Sequence, residues 1–151
     1  MLEQVDVLVI DLQDAGARYY TYPAAVATIM ESAAEARRPV IVLDRPNPIG
    51  GAVQGDVQDS VTGSAVARFP IAMRHGMTIG ELARLARETL SLDADLHVIP
   101  LDGWRRSMDF AATGLPFVAR AGRCGTGKCT LGTSLVVVRF LVDRTRTHHH
   151  S

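Results

Sequence analysis

Apolar positions along the chain fall into two rhythms. Val5-Asp-Val-Leu-Val-Ile10 and Val40-Ile-Val-Leu43 are short, nearly continuous β-branched runs, the pattern of strands covered on both faces. Between them, Pro23–Arg37 is alanine-rich, and Val26, Ile29, Met30 and Ala33 recur at helical spacing, so one stripe faces a sheet. Thr21 or Tyr22 is placed to cap this helix, and Pro23 suits its first turn. Arg37 and Arg38 suit its negative end, and Pro39 stops it. Strand, helix, strand is a βαβ unit, parallel and right-handed. A second amphipathic helix carries Ile79, Leu82, Leu85, Ala86 and Leu90 on one stripe. It opens on a capping box, Thr78-x-x-Glu81, with Met77 and Leu82 placed for a hydrophobic staple. Leu96–Leu101 reads as a third strand.

Two stretches keep neither rhythm. Ala52–Phe69 reads as a long loop, of the kind that often serves as a lid. Gly114-Leu-Pro-Phe117 reads as a loop with a buried anchor. From Ala119 the character changes: Arg120–Lys128 is glycine-rich and basic, and Leu135–Val142 is an apolar run with the look of a strand. The expected architecture is α/β, a Rossmann-like, mostly parallel sheet with flanking helices over residues 1–118. Residues 119–151 form an atypical tail, expected to be disordered or out of frame.

Composition narrows the function classes. The chain has 151 residues, 47% of them hydrophobic, enough for one domain with a core. Its formal net charge is zero and it has no basic run, which argues against nucleic acid or an anionic membrane as the main partner. No window resembles a membrane span, and the N-terminus lacks a charged-then-apolar signal pattern. Cys124 and Cys129 make no disulfide framework. No histidines or cysteines stand at metal-ligand spacing, so no metal or cofactor is expected. No Gly-x-Ser-x-Gly elbow is present, which disfavours a serine hydrolase. Met1 lies only four residues from the first core strand, which points to further chain upstream.

The chemistry gathers where the strands end. Asp11-Leu-Gln-Asp-Ala-Gly-Ala-Arg-Tyr-Tyr-Thr-Tyr22 places two carboxylates, an amide, a guanidinium and three phenols between the first strand and its helix. In open α/β sheets ligands bind at that edge. The second strand ends in Asp44-Arg-Pro-Asn-Pro-Ile-Gly-Gly51, whose prolines and glycines fix an unusual backbone. If the strands are neighbours, Asp11 and Asp44 reach the same rim. Bland readings stand beside these. Asp14 and Arg18 also fit a structural ion pair, Asp44 and Arg45 a pin for the proline turn, and Glu81 a cap. His75 fits either a site residue or a partner for loop carbonyls. His97 fits a structural role, and Trp104 a core plug or a sugar platform.

Four segments taken together resemble a known family. They are Asp11–Tyr22, Leu43-Asp-Arg-Pro-Asn-Pro-Ile-Gly-Gly51, Pro70-Ile-x-Met-Arg-His-Gly-Met-Thr-x-Gly-Glu-Leu82 and Gly103-Trp-Arg-Arg106. In that order they resemble the DUF1343 family, whose characterised members are NamZ-type exo-β-N-acetylmuramidases acting on peptidoglycan fragments. The resemblance runs from about Leu2 to Val118. It implies a glycoside hydrolase that releases N-acetylmuramic acid from non-reducing ends. Such chemistry usually needs two carboxyl groups about 5–9.5 Å apart. Family members carry the leading candidate for the acid in an upstream Ser-Pro-Glu-His-Gly-like segment that this chain lacks. Here Asp11 or Asp14 becomes the base or ligand-orienting carboxylate. Gln13 would bond a sugar hydroxyl or acetamido group. Arg18, Arg45 or Arg74 would take the lactyl carboxylate, since a guanidinium fork matches it. Tyr19, Tyr20 or Tyr22 would stack on a pyranose. Asp44, Asn47 and His75 complete the expected binding set. The resemblance also implies a bacterial protein exported to the periplasm or beyond, with peptidoglycan fragments or muropeptides as partners.

Two rivals remain. A fragment without the acid would bind muropeptides without cutting them. Gly122-Arg-Cys-Gly-Thr-Gly-Lys128 is close to a phosphate-binding loop, but Cys129 stands where that motif needs a serine or threonine for magnesium.

Overall fold

A computed structural model describes residues 2–58 and 68–115, and residues 137–141 as backbone. The two apolar runs form β1, Val7–Asp11, and β2, Val40–Leu43, joined by α1, Tyr22–Glu35. A short ribbon follows, β3, Gln54–Val57, and β4, Ala72–Arg74. Then come α2, Ile79–Thr89, and β5, Leu96–Ile99. The strand β6, Val137–Leu141, completes the described elements. The main sheet has the order β5-β2-β1-β6. β1, β2 and β5 run parallel, and β6 lies antiparallel along β1. The Rossmann-like α/β expectation holds, with an antiparallel strand on the β1 edge that the three parallel strands alone would leave open.

Register explains the layering. Leu8 pairs with Val40 and Val40 with Leu96; Ile10 pairs with Val42 and Val42 with Val98. Side chains alternate along strands, so these six share one face. That face meets Val26, Met30, Leu82 and Ala86 of the helices, all essentially buried. Both crossovers step the same way, from β1 to β2 to β5. The right-handed rule therefore puts both helices on one side, and α1 packs against α2. Asp11, in register with Leu43 and Ile99, belongs to the opposite face.

Local signals are kept in part. The capping box forms in full: Thr78 Oγ1 accepts from Glu81 N–H, and the Glu81 carboxylate accepts from Thr78 N–H. At α1, Thr21 occupies the cap position but makes no side-chain cap bond, while Pro23 lies in the first turn. Arg37 and Arg38 fall beyond the helix, and Arg37 takes a left-handed φ of 52°.

One expectation needs correcting. The stretch 52–69 is not loop throughout, because β3 lies within it and pairs antiparallel with β4. All four β3 residues, Gln54-Gly-Asp-Val57, are exposed. A strand with no buried face leaves no alternating pattern to read. Phe117 and the basic, glycine-rich stretch through Lys128 and Cys129 lie outside the described residues.

Candidate functional site

Four segments meet at the C-terminal edge of the parallel strands. They are residues 12–21 after β1, 44–53 after β2, 75–78 before α2, and 100–106 after β5. Strand parity sorts their charges. Asp44 continues the helix-facing set of β2 and reaches α2: its Oδ1 accepts from Gly80 N–H at 2.8 Å and its Oδ2 from Thr78 Oγ1 at 3.0 Å. Oδ1 also accepts from Arg45 N–H at 3.0 Å. Asp44 thus adds an anion to the positive end of α2. Arg45, one residue on, turns to the other face and grips Asp11. Its Nε donates to Oδ1 at 2.7 Å and its NH2 to Oδ2 at 2.8 Å, with NH2 also 2.7 Å from Oδ1. The Asp11 side chain is 25% exposed and that of Arg45 37%. The two carboxylates share a rim but not a face.

Asp14 is buried. Its Oδ2 accepts from Gly16 N–H at 2.6 Å and contacts His75 Nε2 at 3.0 Å. His75 Nδ1 accepts from Met77 N–H at 3.2 Å, which fixes the ring proton on Nε2. Asp14 Oδ1 is enclosed without a hydrogen-bond partner among the described residues. The Asp14–Arg18 ion pair does not form, because Arg18 reaches the other way. Its NH1 donates to the carbonyls of Asp56, at 2.9 Å, and Ile71, at 3.2 Å, and its NH2 lies 3.3 Å from Asp56 Oδ2. Arg74 bonds Gln54 Oε1 and the Ile49 carbonyl. These two arginines tie the β3–β4 ribbon to the rim.

The remaining predicted residues hold loop to loop. Gln13 Nε2 donates to the Pro46 carbonyl at 2.8 Å and to that of Asp14 at 3.0 Å. Asn47 is buried; its Nδ2 donates to the Met77 carbonyl and its Oδ1 accepts from Ile49 N–H, both at 3.0 Å. Tyr20 and Tyr22 meet edge to face, their centroids 4.8 Å apart, and both are half-buried. Tyr19 is the open ring of the three, 64% exposed, with the Arg18 guanidinium 5.9 Å from its centroid. His97 is exposed and lies 3.0 Å from Asp95.

Sequence reasoning gave Arg106 and Asp56 no role. Arg106 donates to the Gly76 carbonyl and to Glu81, and its guanidinium lies 5.8 Å from the centroid of the half-buried Trp104. The Gly103-Trp-Arg-Arg106 motif was the signal for it. Asp56, on an exposed strand, offered none. No group of three potential metal ligands occurs among the described residues, and no described helix is long and apolar enough to cross a membrane.

Thr78 both closes the capping box and donates to Asp44. Thr78→Ala is therefore expected to lower stability by about 1–2 kcal/mol, measured by urea unfolding. Thr78→Ser, which keeps the hydroxyl, should retain most of it.

A family model described as "Exo-beta-N-acetylmuramidase NamZ, N-terminal" matches residues 1–124, which include all four rim segments. The chain belongs to the NamZ N-terminal family. Peptidoglycan beta-N-acetylmuramidase NamZ of Bacillus subtilis (strain 168) is 50% identical over 119 residues, covering 78% of this chain and 29% of that protein. Two crystal structures of DUF1343 family proteins from Bacteroides fragilis NCTC 9343 share the fold. One (BF0371) aligns with a TM-score of 0.73 at 44% identity, over 79% of this chain and 32% of its own. The other (BF0379) gives 0.63 at 38% identity, over 68% and 30%. The chain thus spans about a third of the length of these NamZ-type relatives.

Proposed function

We propose that this chain is part of an exo-acting β-N-acetylmuramidase that releases N-acetylmuramic acid from the non-reducing ends of peptidoglycan fragments. The observation that carries this reading is the family match across both carboxylate-ended strands and every rim segment. In this reading Asp11 is the carboxylate that meets the sugar, because it stands on the rim with part of its side chain in solvent. Asp14 and Asp44 act as positioning residues, since their oxygens are engaged with, or enclosed by, the loops they hold. The second carboxyl of the reaction comes from the part of the relatives that this chain does not span. Peptidoglycan lies outside the cytoplasmic membrane, so the reading carries export with it, checked by cell fractionation.

A second reading, binding of muropeptides without turnover, is favoured for this chain alone. Two of the three carboxylates named at its strand ends are committed to structural bonds. Glycoside hydrolysis in most families takes a pair of carboxyls working together. The test is release of a chromogenic aglycone from a β-N-acetylmuramide. A version extended to the full span of the relatives is expected to turn over, and this chain alone to bind without release. If the extended version releases nothing, the hydrolase reading fails.

A further inference from the structure

We propose that Arg45 is the residue that recognises the lactyl carboxylate of N-acetylmuramic acid, using the edge of its guanidinium that Asp11 leaves free; this rests on the sugar-binding reading above. A guanidinium has five N–H donors, arranged as a fork along Nε and NH2 and a second along NH1 and NH2. Asp11 takes the first fork with contacts of 2.7 and 2.8 Å. Neither NH1 donor of Arg45 makes a hydrogen bond to the described residues, and the side chain is 37% exposed. The second fork is therefore left unoccupied by the described residues, on a partly exposed side chain whose guanidinium plane is set by Asp11.

The other anchored rim arginines are not equivalent. Arg18 is only 12% exposed, and both its terminal nitrogens are taken by Asp56 and Ile71. Arg74 spends both on Gln54 and Ile49. Arg106 spends both on Gly76 and Glu81. Arg45 alone among these four combines a fixed plane with an unused fork. Its backbone is fixed as well: its N–H donates to Asp44, and Pro46, which follows it, is buried.

The chemistry suits a carboxylate. Bidentate guanidinium–carboxylate pairs are strong and planar, and an arginine already oriented by one carboxylate loses little freedom on meeting another. The lactyl group is what separates N-acetylmuramic acid from N-acetylglucosamine, so a residue that reads it sets the choice between the two sugars. Asp11 then has two tasks, holding the guanidinium plane and facing the same bound sugar.

The test is an NMR titration of this chain with three probes: N-acetylmuramic acid, its lactyl methyl ester and N-acetylglucosamine. The free acid is expected to bind about tenfold tighter than either of the others, the worth of one charge-assisted contact at an exposed site. In Arg45→Gln the three should bind equally, at the level of N-acetylglucosamine in the unaltered chain. Arg45→Lys should recover only part of the preference, because an ammonium lacks the fork. Equal binding of acid and ester to the unaltered chain overturns the assignment and leaves the sugar reading standing. A preference that survives in Arg45→Gln overturns it too. Failure of all three probes to bind overturns the assignment and the reading of muropeptide binding by this chain alone, while the hydrolase reading still rests on release by the extended version. The comparison of acid with ester needs no variant, so it decides the matter even if Arg45→Gln does not fold.

Discussion

Replacing His75 with alanine is expected to cost the fold about 3 kcal/mol or more, since leaving a buried polar group without its partner costs about 1–3 kcal/mol, and more where that group is a carboxylate. The His75 side chain is fully buried and that of Asp14 nearly so. Alanine would leave the Asp14 carboxylate enclosed, with Gly16 N–H as its remaining donor. It would also orphan Met77 N–H, which now donates to Nδ1, and open a cavity where the ring was. Asp14→Asn should behave differently. The amide oxygen can take the place of Oδ2, accepting from Gly16 N–H and His75 Nε2–H. The NH2 then falls where Oδ1 has no partner among the described residues. Since the buried charge is removed and both bonds persist, stability should change by less than about 1 kcal/mol. Urea midpoints of the two variants decide it. If His75→Ala unfolds where the unaltered chain does, the pair does not hold the rim together.

The pair also shows where sequence reading stops. Asp14 and His75 are 61 residues apart, and nothing local marks either as the partner of the other. Residues that were legible had local causes. Val5–Ile10 and Val40–Leu43 announce buried strands by composition, and Thr78 with Glu81 announces a helix start by spacing. The assignment of arginines was not legible, because Arg18, Arg45, Arg74 and Arg106 are alike in sequence and differ only in what tertiary structure places beside them. β3 was hidden for a related reason. Gln54-Gly-Asp-Val57 buries no face, and what holds it is its pairing with β4 together with Arg18 on Asp56 and Arg74 on Gln54. Function came from neither rhythm nor charge. Four motifs in order carried the resemblance, and the family match agrees with it.

Parity along the strands gives the rim its division of labour. Asp11 and Arg45 lie on the face away from the helices, while Asp44 lies on the helix face and fastens α2. One residue of alternation thus separates a partly exposed carboxylate paired with Arg45 from one that fastens α2. Asp14 and Asn47 then lock the loops beneath, through His75 and Met77.

That lock predicts the second large effect, from Gly16→Ala. Gly16 has a φ of +82°, where a side chain costs about 1–2 kcal/mol. Its added Cβ would lie 2.3 Å from Asn47 Oδ1 and 2.5 Å from Ile49 Cγ1. Asn47 cannot yield cheaply, since it is buried and bonded to Met77 and Ile49. Overpacking of this kind adds about 1–3 kcal/mol, so a total near 3 kcal/mol is expected. Because the clash forces the segment after β1 away from the segment after β2, it should also separate Asp11 from Arg45 and weaken binding of N-acetylmuramic acid in the fraction that stays folded. Gly114→Ala is the control: it shares the left-handed backbone, φ +67°, but its Cβ would meet nothing within 4 Å. It should lose only the backbone share, about 1–2 kcal/mol, and bind as the unaltered chain does. Equal losses in the two variants would mean that backbone strain alone matters at Gly16, and that the contact with Asn47 does not set the spacing of the rim.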